Sequence, residues 1–135
     1  MDILTPAARS DRMARIRSKD TSIEWRIRQL VHAMGFRYRL HDKRLPGKPD
    51  LVFAGRKKVV FVHGCFWHRH PGCRRTRLPK TRQDYWEPKF LRNVERDRDN
   101  QAALAKAGWE YFIAWECQMM DEEQLRNELR EFLSP

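Results

Sequence analysis

Apolar residues recur at helical spacing over residues 23–34, where Ile23, Ile27, Leu30, Val31 and Met34 fall on one face. Thr21 ahead of them, with Glu24 three residues on, predicts a capping box, and Gly35 has the position of a C′ stop. Upstream, residues 10–18 read as a short basic helix, with Met13 and Ile16 on one side and Arg12, Arg15 and Arg17 around it. Residues 36–40 alternate as a strand, and Pro46, Gly47 and Pro49 mark residues 41–49 as a turn segment. Residues 50–54 and 58–62 are rich in Val and Phe and predict two central strands joined by a tight turn at Gly55 and Arg56. Residues 64–82 read as a loop. Pro88 suits the first turn of a long helix that runs to Ala107 and stops at Gly108. A further strand over residues 109–115 precedes a last helix that starts at Asp121 in a capping pattern with Gln124. This order predicts an α/β fold, a mixed central sheet flanked by helices, in a single domain over residues 1–135.

The long helix does not fit that pattern cleanly. Only Phe90, Leu91, Val94 and Leu104 are large and apolar in it, so it is either solvated or laid against a charged partner. Charge adds to the picture. The chain carries 28 Lys and Arg against 18 Asp and Glu, a net charge of +10, which favours a polyanionic partner. Residues 74–98 hold nine basic residues against four acids, whereas residues 121–135 hold five acids against Arg126 and Arg130. The longest apolar run, residues 59–62, is far too short to span a membrane. Residues 1–8 have no apolar stretch of the secretory kind, so the default expectation is a cytoplasmic protein.

The three cysteines, Cys65, Cys73 and Cys117, are too few and odd in number for a disulfide framework. Beside histidines they point to zinc, which takes four soft or borderline ligands in a tetrahedron. Cys65 and Cys73 let a short loop fold around one ion, with Cys117 tying that loop to the sheet, and both His68 and His70 are available as the fourth ligand. Such a site is closed and leaves no open position, so catalysis would need a different metal. Asp50 follows a proline turn at the start of a strand, where a carboxylate can hold a hard cation such as Mg²⁺. A hairpin of the two central strands brings Asp50 and the Val62–His63 end to one rim. If His70 takes the zinc, His68 is the natural general base. His63 and Asp97 can form an orienting pair.

Four separated runs carry a resemblance: Leu45-Pro-Gly-Lys-Pro-Asp50-Leu, Val62-His-Gly-Cys-Phe-Trp-His68, Asn93-Val-Glu-Arg-Asp97 and Trp115-Glu-Cys117. In order and spacing the chain resembles the very-short-patch repair (Vsr) endonucleases, over about residues 10–117. The resemblance implies a restriction-endonuclease-like core and nicking of one DNA strand beside the thymine of a T:G mismatch, as arises from deaminated 5-methylcytosine. It implies that Asp50 and the backbone carbonyl of Val62 hold catalytic Mg²⁺, two ions in all. His68 would be the base on the attacking water, His63 and Asp97 a hydrogen-bonded pair near the scissile phosphate, and Glu24 a group reaching the metal-bound water. Cys65, His70, Cys73 and Cys117 would hold one structural zinc. Phe66, Trp67 and Trp86 would intercalate as apolar wedges. Lys89 and Asn93 would meet displaced base edges, and Met13 would enter from the other groove. Arg12 and Arg15, on a DNA-contacting arm formed by residues 1–20, would contact phosphates. Valine stands at position 62, where familiar members of the family carry threonine; a backbone ligand survives that change.

The resemblance further implies a monomer working on double-stranded DNA, nucleoid-associated in a prokaryote, with a functional link to a cytosine-5 methyltransferase and to mismatch-repair proteins. Two other readings fit part of the pattern. A zinc-stabilised DNA-binding module would explain the charge, the aromatics and the cysteines, but not the set Asp50, His63, His68 and Asp97. A restriction enzyme cutting both strands would need more interface than so small a core offers.

Overall fold

The computed structural model describes residues 22–76 and 82–134. Helix α1 (Ser22–Ala33) leads into β1 (Arg39–Leu40), β2 (Leu51–Phe53) and β3 (Lys58–His63). Helix α2 (Gln83–Lys106), β4 (Glu110–Trp115) and α3 (Glu122–Leu133) complete the order, with short 3₁₀ turns between. The sheet runs β1-β2-β3-β4, with antiparallel pairs β1/β2 and β2/β3 and a parallel pair β3/β4. The predicted mixed α/β sheet with flanking helices is therefore present. The basic helix expected over residues 10–18, with Arg12, Met13 and Arg15, and the capping role of Thr21 lie outside the described residues.

Strand alternation sorts the side chains between two cores. Leu51, Phe53 and Val60 pack with Ile27 and Val31 of α1, Ala114 of β4, and Leu125, Leu129 and Leu133 of α3. Val52, Val59 and Phe61 point the other way, onto Leu104 of α2. His63 continues the Val59–Phe61 series, so the period of two sends it to the α2 side. The leucines of α3 recur every fourth residue and are each 0% exposed, which stabilises the fold by about 1.5–3 kcal/mol per side chain. Asp121 caps α3 as expected, its side chain accepting the Gln124 backbone N–H.

Three boundaries differ from the sequence expectation. Only Arg39 and Leu40 of the alternating stretch 36–40 pair as a strand, because Phe36 belongs to the end of α1. Its N–H donates to the Val31 carbonyl and the Gly35 N–H to that of His32, a Schellman closure with Gly35 at φ 89°. The turn after β2 is longer than two residues: Ala54–Arg56 form a 3₁₀ turn, and Lys57, at φ 53°, donates its N–H to the Ala54 carbonyl. Helix α2 begins at Gln83, so Pro88 lies inside it rather than in its first turn. The extra turn carries Trp86, whose ring stacks on Phe90 and contacts Phe66 and Trp67. That packing offsets the one helical hydrogen bond proline removes.

Candidate active site and metal centre

The α2 helix organises the site through one seam. Trp86, Phe90, Asn93, Asp97, Asn100 and Leu104 are spaced alternately four and three apart, which keeps them on one side of a helix. Along the seam the contacts change from aromatic to polar and back to apolar. The Phe90 ring packs against Phe66 and Trp67. Asn93 donates from Nδ2 to the Trp67 carbonyl at 3.3 Å. Asp97 Oδ2 lies 2.6 Å from His68 Nδ1. Asn100 closes on Gly47, where an added Cβ would sit 3.1 Å from it and 3.0 Å from Phe61. Half of the seam is polar because Asp97 and Asn100 face a cleft and Asn93 meets a loop carbonyl, which is why the helix looks weakly amphipathic from sequence.

That cleft encloses about 410 Å³ between α1, the turn before β2, the end of β3 and α2. At its floor the Val62 N–H donates to Asp50 Oδ2 at 2.6 Å, which ties the head of β2 to the end of β3. Glu24 enters from the buried face of α1, paired with Arg28 one turn on at 3.1 Å. His41 Nε2 lies 3.1 Å from Glu24 and 3.8 Å from Asp50. Burial pushes the Asp50 carboxyl up to about 7, and the Glu24 carboxylate adds to the rise against the Val62 N–H. Two carboxylates so placed, one reluctant to ionise, suit a cation. Glu24, His41 and Asp50 bring their ligand atoms within 4.8 Å of one another.

Beside them, His63 and His68 stack with centroids 3.7 Å apart and planes 8° from parallel. The sequence expectation of a hydrogen bond between His63 and Asp97 is corrected here. Asp97 takes His68 as its partner, while His63 is 5% exposed with Nδ1 unpartnered among the described residues. All three groups lie together, their ligand atoms within 4.8 Å of one another, but the loop after β3 lays the His68 ring over that of His63 and it is His68 that reaches the carboxylate. Burial, reinforced by His68, pulls the His63 pKa down to about 3, so this imidazole stays neutral.

The loop after β3 gathers Cys65, His70, Cys73 and Cys117, whose ligand atoms also lie within 4.8 Å of one another. His70, and not His68, joins the cysteines: its Nδ1 is 3.7 Å from Cys65 Sγ and 3.4 Å from Cys117 Sγ. Tetrahedral zinc with sulfur and nitrogen ligands spans about 3.6 Å along such an edge, so the spacing fits that ion. Burial pushes the Cys65 thiol up to about 12, and burial also lowers the His70 pKa. The His70 ring stacks on Trp115, at 4.2 Å and 12°.

Phe66 and Trp67, in the same loop, pack with Trp86 and Phe90 into one aromatic cluster rather than standing apart. Lys89 donates to the Tyr85 hydroxyl at 2.7 Å and lies over that ring. Arg28, His41 and Arg69 were not singled out from sequence. Arg28 had a signal: a charge on the apolar α1 face, one turn from Glu24. Arg69, at φ 54°, donates to the Phe66 and Thr76 carbonyls and covers the Phe90 ring at 4.2 Å. Nothing local in the sequence marks His41, which reaches the site only through the fold.

A family model described as "DNA mismatch endonuclease Vsr" matches residues 1–75. The chain is 49% identical to the type II nicking enzyme V.XorIIP of Xanthomonas oryzae pv. oryzae over 99% of this chain and 98% of that one. It is 42% identical to the type II nicking enzyme V.NmeAIP of Neisseria meningitidis, over 95% of this chain and 91% of that one. It is 41% identical to the DNA mismatch endonuclease Vsr of Escherichia coli, over 94% of this chain and 81% of that one.

Proposed function

The chain belongs to the Vsr family of DNA mismatch endonucleases and is a DNA-cleaving hydrolase; from that premise we propose that it nicks one strand beside the thymine of a T:G mismatch, with His68 as general base. The observation that carries this reading is the His68–Asp97 pair in a cleft that also holds Asp50. Asp97 accepting from Nδ1–H fixes the imidazole tautomer and leaves Nε2 with its lone pair. His63, neutral and stacked, keeps the ring from turning. His68 Nε2 then takes a proton from water, and the resulting hydroxide attacks phosphorus while the bond to the leaving oxygen breaks.

Asp50 and Glu24, with the Val62 carbonyl, would hold Mg²⁺, in keeping with the raised proton affinity of Asp50 and the all-oxygen character of these donors. Mg²⁺, when bound, supplies charge that polarises the phosphate and supports the leaving oxygen. Cys65, His70, Cys73 and Cys117 would hold zinc in a closed, structural site, the cation replacing the thiol protons. The aromatic cluster supports a wedge of Phe66, Trp67 and Trp86 at the mismatch, which deforms more easily than a matched pair. Lys89 and Asn93, beside it on α2, would meet displaced base edges. The sheet and its flanking helices fit a restriction-endonuclease-like core acting as a monomer, with chromosomal DNA in the cytoplasm as substrate.

Incubation with a T:G duplex and its T:A control, with and without Mg²⁺, tests the reading. Nicking of only the thymine strand, and only with Mg²⁺, is the expected result. Binding without cleavage at every Mg²⁺ concentration, or double-strand cleavage of the control, would overturn it.

A further inference from the structure

We propose that Lys48 and Arg96 form a cationic clamp on the non-reacting oxygens of the scissile phosphodiester, a role that rests on the nicking reading above. The cleft presents three carboxylates, Glu24, Asp50 and Asp97, to an incoming polyanion. Lys48 and Arg96 are the lysine and arginine among the residues that line it. The acids near them are already engaged: Glu24 by Arg28 and His41, Asp50 by the Val62 N–H, and Asp97 by His68. Lys48 and Arg96 themselves make no side-chain hydrogen bond or ion pair among the described residues, and both are exposed. Cations that leave neighbouring acids alone, on the walls of a cleft that must take phosphate, have an anion as their natural partner.

Their placement is fixed by backbone. Lys48 sits at φ 48°, between Gly47 at φ 79° and the fully buried Pro49, and its N–H donates to the Leu45 carbonyl at 3.2 Å. A lysine held in the left-handed region is tied to a defined turn. That turn docks through Gly47 on Asn100, one helical turn beyond Arg96. The contact thus joins the Lys48 wall of the cleft directly to the Arg96 wall. The two side chains differ in kind. The planar guanidinium can hold two phosphate oxygens at once, whereas the ammonium acts as a point charge. Phosphoryl oxygens gain charge as the water attacks, so a clamp of this kind binds tighter in the transition state and shows in the cleavage rate more than in binding.

The test compares the full-length wild type with Arg96→Gln, Arg96→Lys and Lys48→Gln. Single-turnover nicking of a T:G duplex is measured at saturating protein with Mg²⁺. Binding of the same duplex is measured by anisotropy across a salt series, and thermal melts confirm folding. Arg96→Gln is expected to slow the saturated step by about 10²-fold, with affinity changed far less. Each neutral variant should lower the salt slope by about one unit, and Arg96→Lys should restore the slope while recovering only part of the rate. Wild-type rates and slopes in both neutral variants would overturn the clamp. Should the wild type bind without nicking, the nicking reading fails, and unchanged salt slopes in both neutral variants would overturn the clamp on their own.

Discussion

His68 Nδ1 and Asp97 Oδ2 stand 2.6 Å apart across the junction of the loop after β3 and α2, while the neutral ring of His63 lies flat against that of His68. Asp97→Asn keeps the size of the side chain and loses the anionic acceptor. An amide can instead offer N–H to Nδ1, which moves the ring proton to Nε2. The nicking rate under single-turnover conditions should fall by about 10²-fold or more, with duplex affinity within a few-fold of wild type. An unchanged rate would remove the tautomer argument.

The buried His63 makes stability depend on pH. Its pKa is pulled from 6.5 down to about 3 in the folded chain, so unfolding takes up a proton between those values. The stability tied to this residue is therefore fully present above pH ~6.5 and is lost as pH falls toward 3. At about pH 5 the loss amounts to roughly 2 kcal/mol. Urea unfolding at neutral pH and near pH 5 should show a smaller acid loss in His63→Gln than in wild type. Equal losses in the two proteins would count against the burial cause.

Cys117→Ser tests the metal centre. The variant should retain well under one equivalent of zinc by elemental analysis, and its melting temperature should drop. The nicking rate of the surviving folded fraction should fall less than it does for Asp97→Asn. Full zinc stoichiometry in the variant would contradict the ligand set.

Gly47 separates packing from chemistry. A side chain there meets Phe61 and Asn100 and must adopt φ 79°. Gly47→Ala should cost about 2 kcal/mol or more from left-handed strain plus overpacking. Gly55→Ala is the control, since nothing lies within 4 Å of a Cβ at that position. Denaturant midpoints that shift equally in the two variants would sink the argument.

The central strands, α1 and α3 were legible because their apolar periods match what they bury. Leu125, Leu129 and Leu133 are plain in the sequence and fully buried in the fold. The long helix was legible in existence but not in orientation. Its seam alternates Phe90 with Asn93, Asp97 and Asn100, so a hydrophobic period cannot find it. Of the site, Asp50, His68 and the cysteine–histidine loop stood out by residue type and spacing. The partner of Asp97 did not, since His63 and His68 both lie near it and the path of the loop after β3 brings His68 into hydrogen-bond reach. His41 was invisible for a similar reason: its place beside Glu24 and Asp50 comes from β1–β2 pairing, where the His41 N–H donates to the Asp50 carbonyl at 3.2 Å.

The parallel pairing of β3 with β4 matches each residue to the one 52 further on, from Lys58 with Glu110 to His63 with Trp115. Carried two residues past the last pair, the same offset matches Cys65 to Cys117. With a metal bound as proposed, this cysteine–histidine group would work as a gauge of strand alignment. A slip of one residue would displace Cys117 by about 3.3 Å and turn its side chain to the opposite face. Four-ligand closure around an ion would then be available only to chains whose strands have already met in the native alignment, and a misaligned chain would gain nothing from the metal.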